Sequence, residues 1–401
     1  MKRSVDFIPG GGVTSPRGFL AGAVSAGIKY ISSSRLDLGI LYSDLPCTAA
    51  AVFSTNKVKA APVIISQEKL QKKTATAVVM NSGHANSCTG EKGMADAVKM
   101  AELAARHVRI SPEEMLVSST GVIGTYLPMD SISKGIEKII LSGNGGHDMA
   151  QAIMTTDTVP KEVAVKAGDF VIGGMAKGSG MIHPDLATML CFLTTDASVS
   201  ADFLDEALRE VVDNTFNMLS VDGDNSTNDT VLIMANGRVG GDKITSNSPP
   251  AELFRQALME TCVYLVREIA RDGEGATKLI EVKVSGAVNT NEARQAARTI
   301  ITSSLVKAAV HGSDPNWGRV VAAVGRSGIE LDNDKLEMGI AGTCLFKGGT
   351  PVPFNNEKVA RHMSSPEVPI TVNINLGDGE ATAWGCDLSE EYVTINSDYT
   401  T

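Results

Sequence analysis

Aromatic residues are scarce in this 401-residue chain, at 4% of the total. Its core therefore has to be built from Val, Ile, Leu, Met and Ala. The 39 glycines imply many tight turns. Excess positive charge is missing too. The formal net charge is -10, and no basic run with interleaved aromatics occurs, which argues against nucleic acid as a partner. No stretch is apolar for long enough to span a bilayer, so no membrane association is expected. Met1 to Phe7 runs straight into Pro9-Gly10-Gly11-Gly12, without the apolar segment of a signal peptide. The six cysteines are scattered and form no CxxC pair, so neither a metal site nor a disulfide framework is expected, and a cytoplasmic location is the simplest. The six histidines form no recognisable motif, and GxSxG, HExxH and P-loop signatures are all missing.

What the chain does have is an alternation of strand-like and helix-like runs. Residues 50–55, 75–80 and 115–118 read as strands, and residues 91–108 and 130–141 as helices. A hairpin is expected over 162–172, broken at Ala167-Gly168-Asp169. Further helices are expected over 201–219, 251–270 and 290–310, with an alternating strand over 278–284. Phe254, Leu258, Leu265 and Ile269 fall on one face of the 251–270 segment. The remainder reads as short strands and turns, including strand-like Tyr392-Val393-Thr394-Ile395. The class is mixed α and β, and the pattern leaves open whether its sheets are parallel or antiparallel.

One residue stands out chemically. Thr188 ends a Gly- and Pro-bearing approach, Lys177 to Ala187, and opens an apolar run. A Thr at a chain N-terminus carries its own base, an α-amine with an unperturbed pKa near ~8. Cleavage of the Ala187-Thr188 bond by the Thr188 hydroxyl would create that arrangement. An ordinary strand-start Thr is the plainer reading of position alone. A second element, Ser118-Ser119-Thr120-Gly121-Val122-Ile123-Gly124, follows a strand. The Thr120 hydroxyl and Gly121 N–H suit an oxyanion, although a strand-ending glycine turn explains the same residues.

Several segments, in order along nearly the whole chain, resemble the ornithine acetyltransferase family, also called glutamate N-acetyltransferase. They are Ser119-Thr120-Gly121-Val122-Ile123-Gly124, Met154-Thr155-Thr156-Asp157-Thr158, Lys177-Gly178-Ser179-Gly180-Met181-Ile182 and Ala187-Thr188-Met189-Leu190. Asp222 to Asp229, Asp272 to Lys278, Asp314 to Arg319 and Tyr392 to Tyr399 complete the set. No single segment is specific; their joint occurrence is.

The resemblance implies acetyl transfer from N2-acetylornithine to glutamate in arginine biosynthesis, with no cofactor and with acetyl-CoA as a conceivable co-substrate. It implies an α/β fold of the mixed α+β kind, with layered sheets and helices of N-terminal-nucleophile type. It also implies self-cleavage at Ala187-Thr188 into interwoven fragments, residues 1–187 and 188–401, that associate as an α2β2 heterotetramer. Carried over by motif, Thr188 is the nucleophile, and Thr120 and Gly121 form the oxyanion pair. Thr155, Lys177, Thr188, Glu274, Asn396 and Thr401 contact substrate. Many family members end in Asp-Tyr-Arg-Thr, whereas this chain ends in Asp398-Tyr399-Thr400-Thr401.

The residues can be weighed beside that resemblance. Lys177 suits a substrate carboxylate or the Thr188 amine, but a solvated loop Lys is the commoner fate. Glu274, between Gly273 and Gly275, suits the ornithine ammonium, but an exposed acid at a helix stop is an alternative. Asn396 and Thr401 read as a frayed tail unless a docked strand over 392–395 holds them in place. Two rival functions remain open from sequence: an N-terminal-nucleophile amidase or aminopeptidase using water, and a non-catalytic amino-acid-binding protein.

Overall fold

The structure is a computed structural model that describes residues 5–29, 34–183 and 189–398. Its strands, in chain order, are β1 (Val5–Phe7), β2 (Phe19–Val24), β3 (Leu38–Phe53), β4 (Thr74–Asn81), β5 (Met115–Ser119), β6 (Lys161–Ala167), β7 (Phe170–Lys177) and β8 (Leu190–Thr195). There follow β9 (Leu219–Ser220), β10 (Thr230–Ala235), β11 (Leu279–Ala287), β12 (Glu337–Ile340), β13 (Thr343–Lys347), β14 (Thr350–Pro351), β15 (Glu367–Asn373) and β16 (Gly379–Cys386).

Two mixed sheets result. The larger has the order β1-β6-β7-β8-β10-β3-β4-β5, with β2 also paired to β3; the smaller runs β14-β13-β12-β15-β11-β16-β9. Parallel pairs (β8 with β10, β4 with β5) sit among antiparallel ones. Position 188 does not divide two bodies. β8 and β10 lie after it in sequence, yet they are inserted between β7 and β3 from before it. The central strands β8 and β10 are buried on both faces, in keeping with their largely apolar sequences.

Helices form the layers around the sheets. The Ala251–Arg271 helix lies against β6 and β7 on one side and β16 and β11 on the other. Its buried face carries Phe254, Leu258, Leu265 and Ile269, as the spacing predicts. The Thr290–Ile301 helix covers β11 and β16, and the Gly90–Val108 helix covers β4 and β5. Small residues bring the backbones close: Ala97, Ala101, Ala104 and Ala105 are fully buried in the last of these.

Several element boundaries depart from the sequence reading. The strand expected at 50–55 is the end of β3, which runs 16 residues from Leu38. The helix expected over 130–141 stops at Ile136. The helix expected over 201–219 ends at Asn214 and is followed by the short strand β9. The helix expected over 290–310 is two helices, because the Ser303 hydroxyl accepts the Val306 amide and caps a second one, Ser304–His311. Residues 392–395 form no strand. They lie in a helix, Glu390–Asp398, with two acidic residues in its first turn, a favourable placement at the positive end of a helix. The β-branched residues there misled the pattern, since tertiary contacts override propensity in so short a segment. Among the described residues, no helix is long and apolar enough to cross a membrane.

Candidate active site

A cavity of about 430 Å³ opens where β4, β5 and β7 end. Thr120, Gly121, Thr155, Lys177, Glu274 and Asn396 all line it. These residues come from segments on both sides of position 188. Ala187, Thr188 and Thr401 lie outside the described residues.

The Thr120-Gly121 turn is held from below. Parallel pairing of β4 with β5 brings Asn81 opposite Ser119, and the Thr120 amide then donates to the Asn81 carbonyl at 3.0 Å. Gly121 has φ +125°, and a Cβ there would run into the backbone of Gly83. Only glycine fits that approach. The neighbouring amides of Val122 and Gly124 donate to Gly83 and Ser87, while no hydrogen bond from the Gly121 amide occurs among the described residues.

Lys177 is no solvated loop residue. It is the last residue of β7 and only 1% exposed. Its Nζ lies 3.4 Å from the Thr120 Oγ1. Burial pushes the pKa of its ammonium down, against the attraction of Asp157, Asp229 and Glu274. An ammonium has only hydrogens to offer, so Lys177 donates to the Thr120 oxygen and leaves the Thr120 hydrogen free to point elsewhere.

Glu274 is likewise not an exposed acid; it is 8% exposed. Its amide donates to the Ser179 carbonyl at 2.8 Å, and its carboxylate sits against Gly180, where any side chain would collide with it. The Asn396 amide donates to Glu274 Oε2 at 2.8 Å, across 122 residues of sequence. Tyr392, one helical turn earlier, also lines the cavity.

The structure brings in groups that the sequence reading left without a role. Asp157 accepts the Thr155 amide at 3.0 Å and the Gly178 amide at 2.7 Å, which joins the two loops of the site. Burial raises the pKa of its carboxyl, but Lys161, Lys177 and the Gly178 amide outweigh that and hold it below the usual carboxylate range. Lys161 is buried between Asp157 at 2.7 Å and Asp272 at 2.6 Å. Asn228 donates to the Ala85 carbonyl at 2.7 Å and the Ser119 carbonyl at 2.9 Å, pinning the Asp222–Asp229 loop beside the Thr120-Gly121 turn. Asp222 accepts the amides of Met181 and Ile182. These acids sit in the very segments that carry the resemblance, so the signal was the segment and not any one residue in it.

Chemically, the cavity offers the Thr120 hydroxyl and the Gly121 amide, one buried cation at Lys177 and the carboxylates of Asp222, Asp224 and Glu274. That combination suits a small amino-acid derivative with both charges.

Comparison with known proteins identifies the family. The sequence is 50% identical to the arginine biosynthesis bifunctional protein ArgJ of Dehalococcoides mccartyi (strain CBDB1), covering 100% of both chains. It is 51% identical to the protein of the same name from Symbiobacterium thermophilum, over 98% of this chain and 99% of that one. A solved ArgJ structure from Bacillus halodurans is 43% identical with a TM-score of 0.51, covering 52% of this chain and 98% of the solved one. With residues 20–401 matching as well, the chain belongs to the ArgJ family.

Proposed function

We propose that this chain moves an acetyl group from N2-acetylornithine to glutamate, through an acetyl ester on Thr188. The observation that carries the reading is convergence: six residues expected at the site from sequence line one cavity. Its volume of about 430 Å³ falls in the range of small-molecule sites.

The Thr188 α-amine takes the hydroxyl proton, and Oγ1 attacks the acetyl carbonyl of acetylornithine. The Thr120 hydroxyl and Gly121 N–H receive the oxyanion. The C–N bond breaks, and ornithine leaves with the proton returned by the amine. The α-amine of glutamate then attacks the ester, its surplus proton passes through the Thr188 amine to Oγ1, and N-acetylglutamate departs. Glu274, held by Asn396, supplies the counter-charge for the ornithine side-chain ammonium. Thr155 and Thr401 complete the substrate contacts. The reading requires neither a metal nor a resident cofactor.

The same hydroxyl cuts the precursor at Ala187-Thr188. The interleaving of β8 and β10 with β7 and β3 supports fragments that stay together after the cut; the α2β2 assembly is what the family resemblance implies. The solved relative, nearly all of it matched by 52% of this chain, has about the length of residues 188–401. The name that the relatives carry, bifunctional protein, supports acetyl-CoA as a second acetyl donor.

Assays with acetylornithine plus glutamate, and with acetyl-CoA plus glutamate, test the two transfers side by side. The fragment beginning at Thr188 should gain the mass of one acetyl group when acetylornithine is supplied alone. Full activity in Thr188→Ala would overturn the reading. Release of acetate without any need for glutamate would replace it with an amidase.

A further inference from the structure

Tyr392 lines the cavity and has no part in the scheme above. It is half-buried on the terminal helix Glu390–Asp398, in which no residue is fully buried. Its hydroxyl donates to the Asp222 carboxylate, and the charges of Asp222 and Glu274 both act on it. Burial, together with those two charges, pushes the pKa of the phenol up, so it keeps its proton and stays a donor.

The ring is fixed at both ends. At the hydroxyl end, Asp222 also accepts the amides of Met181, of Ile182 at 2.8 Å and of Asp224 at 3.3 Å. Those bonds tie the carboxylate to two loops of the site, so it does not swing with the phenol. At the main-chain end, the start of the helix is pressed against Gly275. A Cβ on Gly275 would lie 2.5 Å from the Tyr392 nitrogen, and the Ser389 hydroxyl donates to the Gly275 carbonyl at 2.5 Å. One turn on, the Asn396 amide donates to the Tyr392 carbonyl at 3.0 Å and to Glu274 Oε2 at 2.8 Å. An aromatic side chain has only two χ angles, and this one is held at its tip and at its root. It is a rigid wall of the cavity, next to Glu274.

In the proposed scheme Glu274 receives the side-chain ammonium of the donor, so the Tyr392 ring stands where that side chain ends. We propose that Tyr392, anchored by Asp222, is the specificity-determining residue for side-chain length: its ring admits N2-acetylornithine and turns away the homologue one methylene longer, N2-acetyllysine. The proposal rests on the reading of Glu274 as the counter-charge. A longer side chain has to carry its ammonium past Glu274 or push the ring off Asp222, and either move leaves a charged or polar group in the wall without its partner. The acetyl group lies at the opposite end of the donor, so the wall sorts side chains without touching the acyl transfer. Ornithine and glutamate side chains reach equally far from the α-carbon, so one wall serves both half-reactions.

The test measures kcat/KM for acetyl transfer to glutamate from N2-acetylornithine and from N2-acetyllysine, on the full chain as wild type, Tyr392→Ala, Tyr392→Leu and Tyr392→Phe. Wild type should prefer the shorter donor by roughly 10–200-fold, the discrimination one methylene ordinarily allows. Tyr392→Ala and Tyr392→Leu should cut that preference about tenfold or more, chiefly by raising kcat/KM for N2-acetyllysine. Tyr392→Phe keeps the ring but loses its anchor, and should fall between them and the wild type. Loosening of the whole helix would instead raise KM for both donors alike and leave the preference where it was. That result overturns the proposal, as does a wild type that uses the two donors equally. If Tyr392→Ala does not fold, the preference is read on Tyr392→Leu, and an unchanged preference there, or failure of both to fold, makes the residue structural and overturns it. A wild type that moves no acetyl group from N2-acetylornithine to glutamate, or a Glu274→Gln variant with an unmoved KM for N2-acetylornithine, strikes at the underlying reading, and the length limit falls with it.

Discussion

Lys177 Nζ lies 3.4 Å from Thr120 Oγ1, although 57 residues separate them and both are buried. In the proposed scheme, where Thr120 receives the oxyanion, that contact ties Lys177 to the same step. Lys177→Met should lower kcat/KM for acetyl transfer by roughly 10²–10³-fold, the usual cost of losing one oxyanion donor. Thr120→Ala should do the same. If the two act as one unit, the double variant loses little more than either single one. Steady-state kinetics on the three variants decide it, and fully multiplicative losses would show that Lys177 acts elsewhere.

The 2.8 Å contact between Asn396 and Glu274 makes a different kind of prediction. Glu274 faces the cationic end of the donor in the proposed scheme. Glu274→Gln should raise KM for acetylornithine by tenfold or more, on the scale of about 1.4 kcal/mol or above for a charge-assisted hydrogen bond. Asn396→Ala should raise it less, because it removes only the support. Equal effects on acetylornithine and on a donor lacking the side-chain amine would separate Glu274 from that end of the substrate.

Lys161 holds Asp157 and Asp272 together in the interior, at 2.7 and 2.6 Å. Lys161→Met leaves two buried carboxylates facing each other. Loss of one partner from a buried ion group costs about 3–5 kcal/mol. Urea denaturation should show that loss. Pairing it with Asp157→Asn should recover part of it, because one of the two orphaned charges is then gone. No recovery would mean that the burden falls on Asp272.

Much of this site was legible through local chemical signals read jointly along the chain, since each turn taken alone admits a plainer reading. The glycine turn at Thr120-Gly121, the approach beginning at Lys177 and the Asp272-Gly273-Glu274-Gly275 turn each carry short-range information, and each ends at the cavity. Long periodic elements were legible for the same reason, the Ala251–Arg271 helix above all. Burial was not legible. Lys177 and Glu274 looked like solvated charges, because their partners are far away in sequence: Lys177 meets Thr120, and Glu274 meets Ser179, Gly180 and Asn396. Nor was the terminal helix, since Tyr392-Val393-Thr394-Ile395 has strand composition and its helical form depends on tertiary contacts. The Asp157–Lys161–Asp272 cluster was unreadable because its third member is 111 residues from Lys161.

That cluster also sets an acid limit to stability. The folded-state pKa of Asp157 is depressed below the ordinary value of 3.8 by Lys161, Lys177 and the Gly178 amide acting against burial. For a carboxyl depressed on folding, the unfolded chain binds the proton more tightly. The stability it contributes is therefore complete above the unfolded pKa and is lost as pH falls through the folded one. The urea midpoint of the wild type should hold steady from neutrality down to about pH 5 and then fall steeply below pH 4. Asp157→Asn should be less stable at neutral pH, with a shallower fall in that acid window. Urea midpoints measured from pH 7 to pH 2 on both proteins check the sign. Parallel curves would show that Asp157 gains no protection from its neighbours, and would locate the acid-sensitive pairing in another carboxylate of the fold.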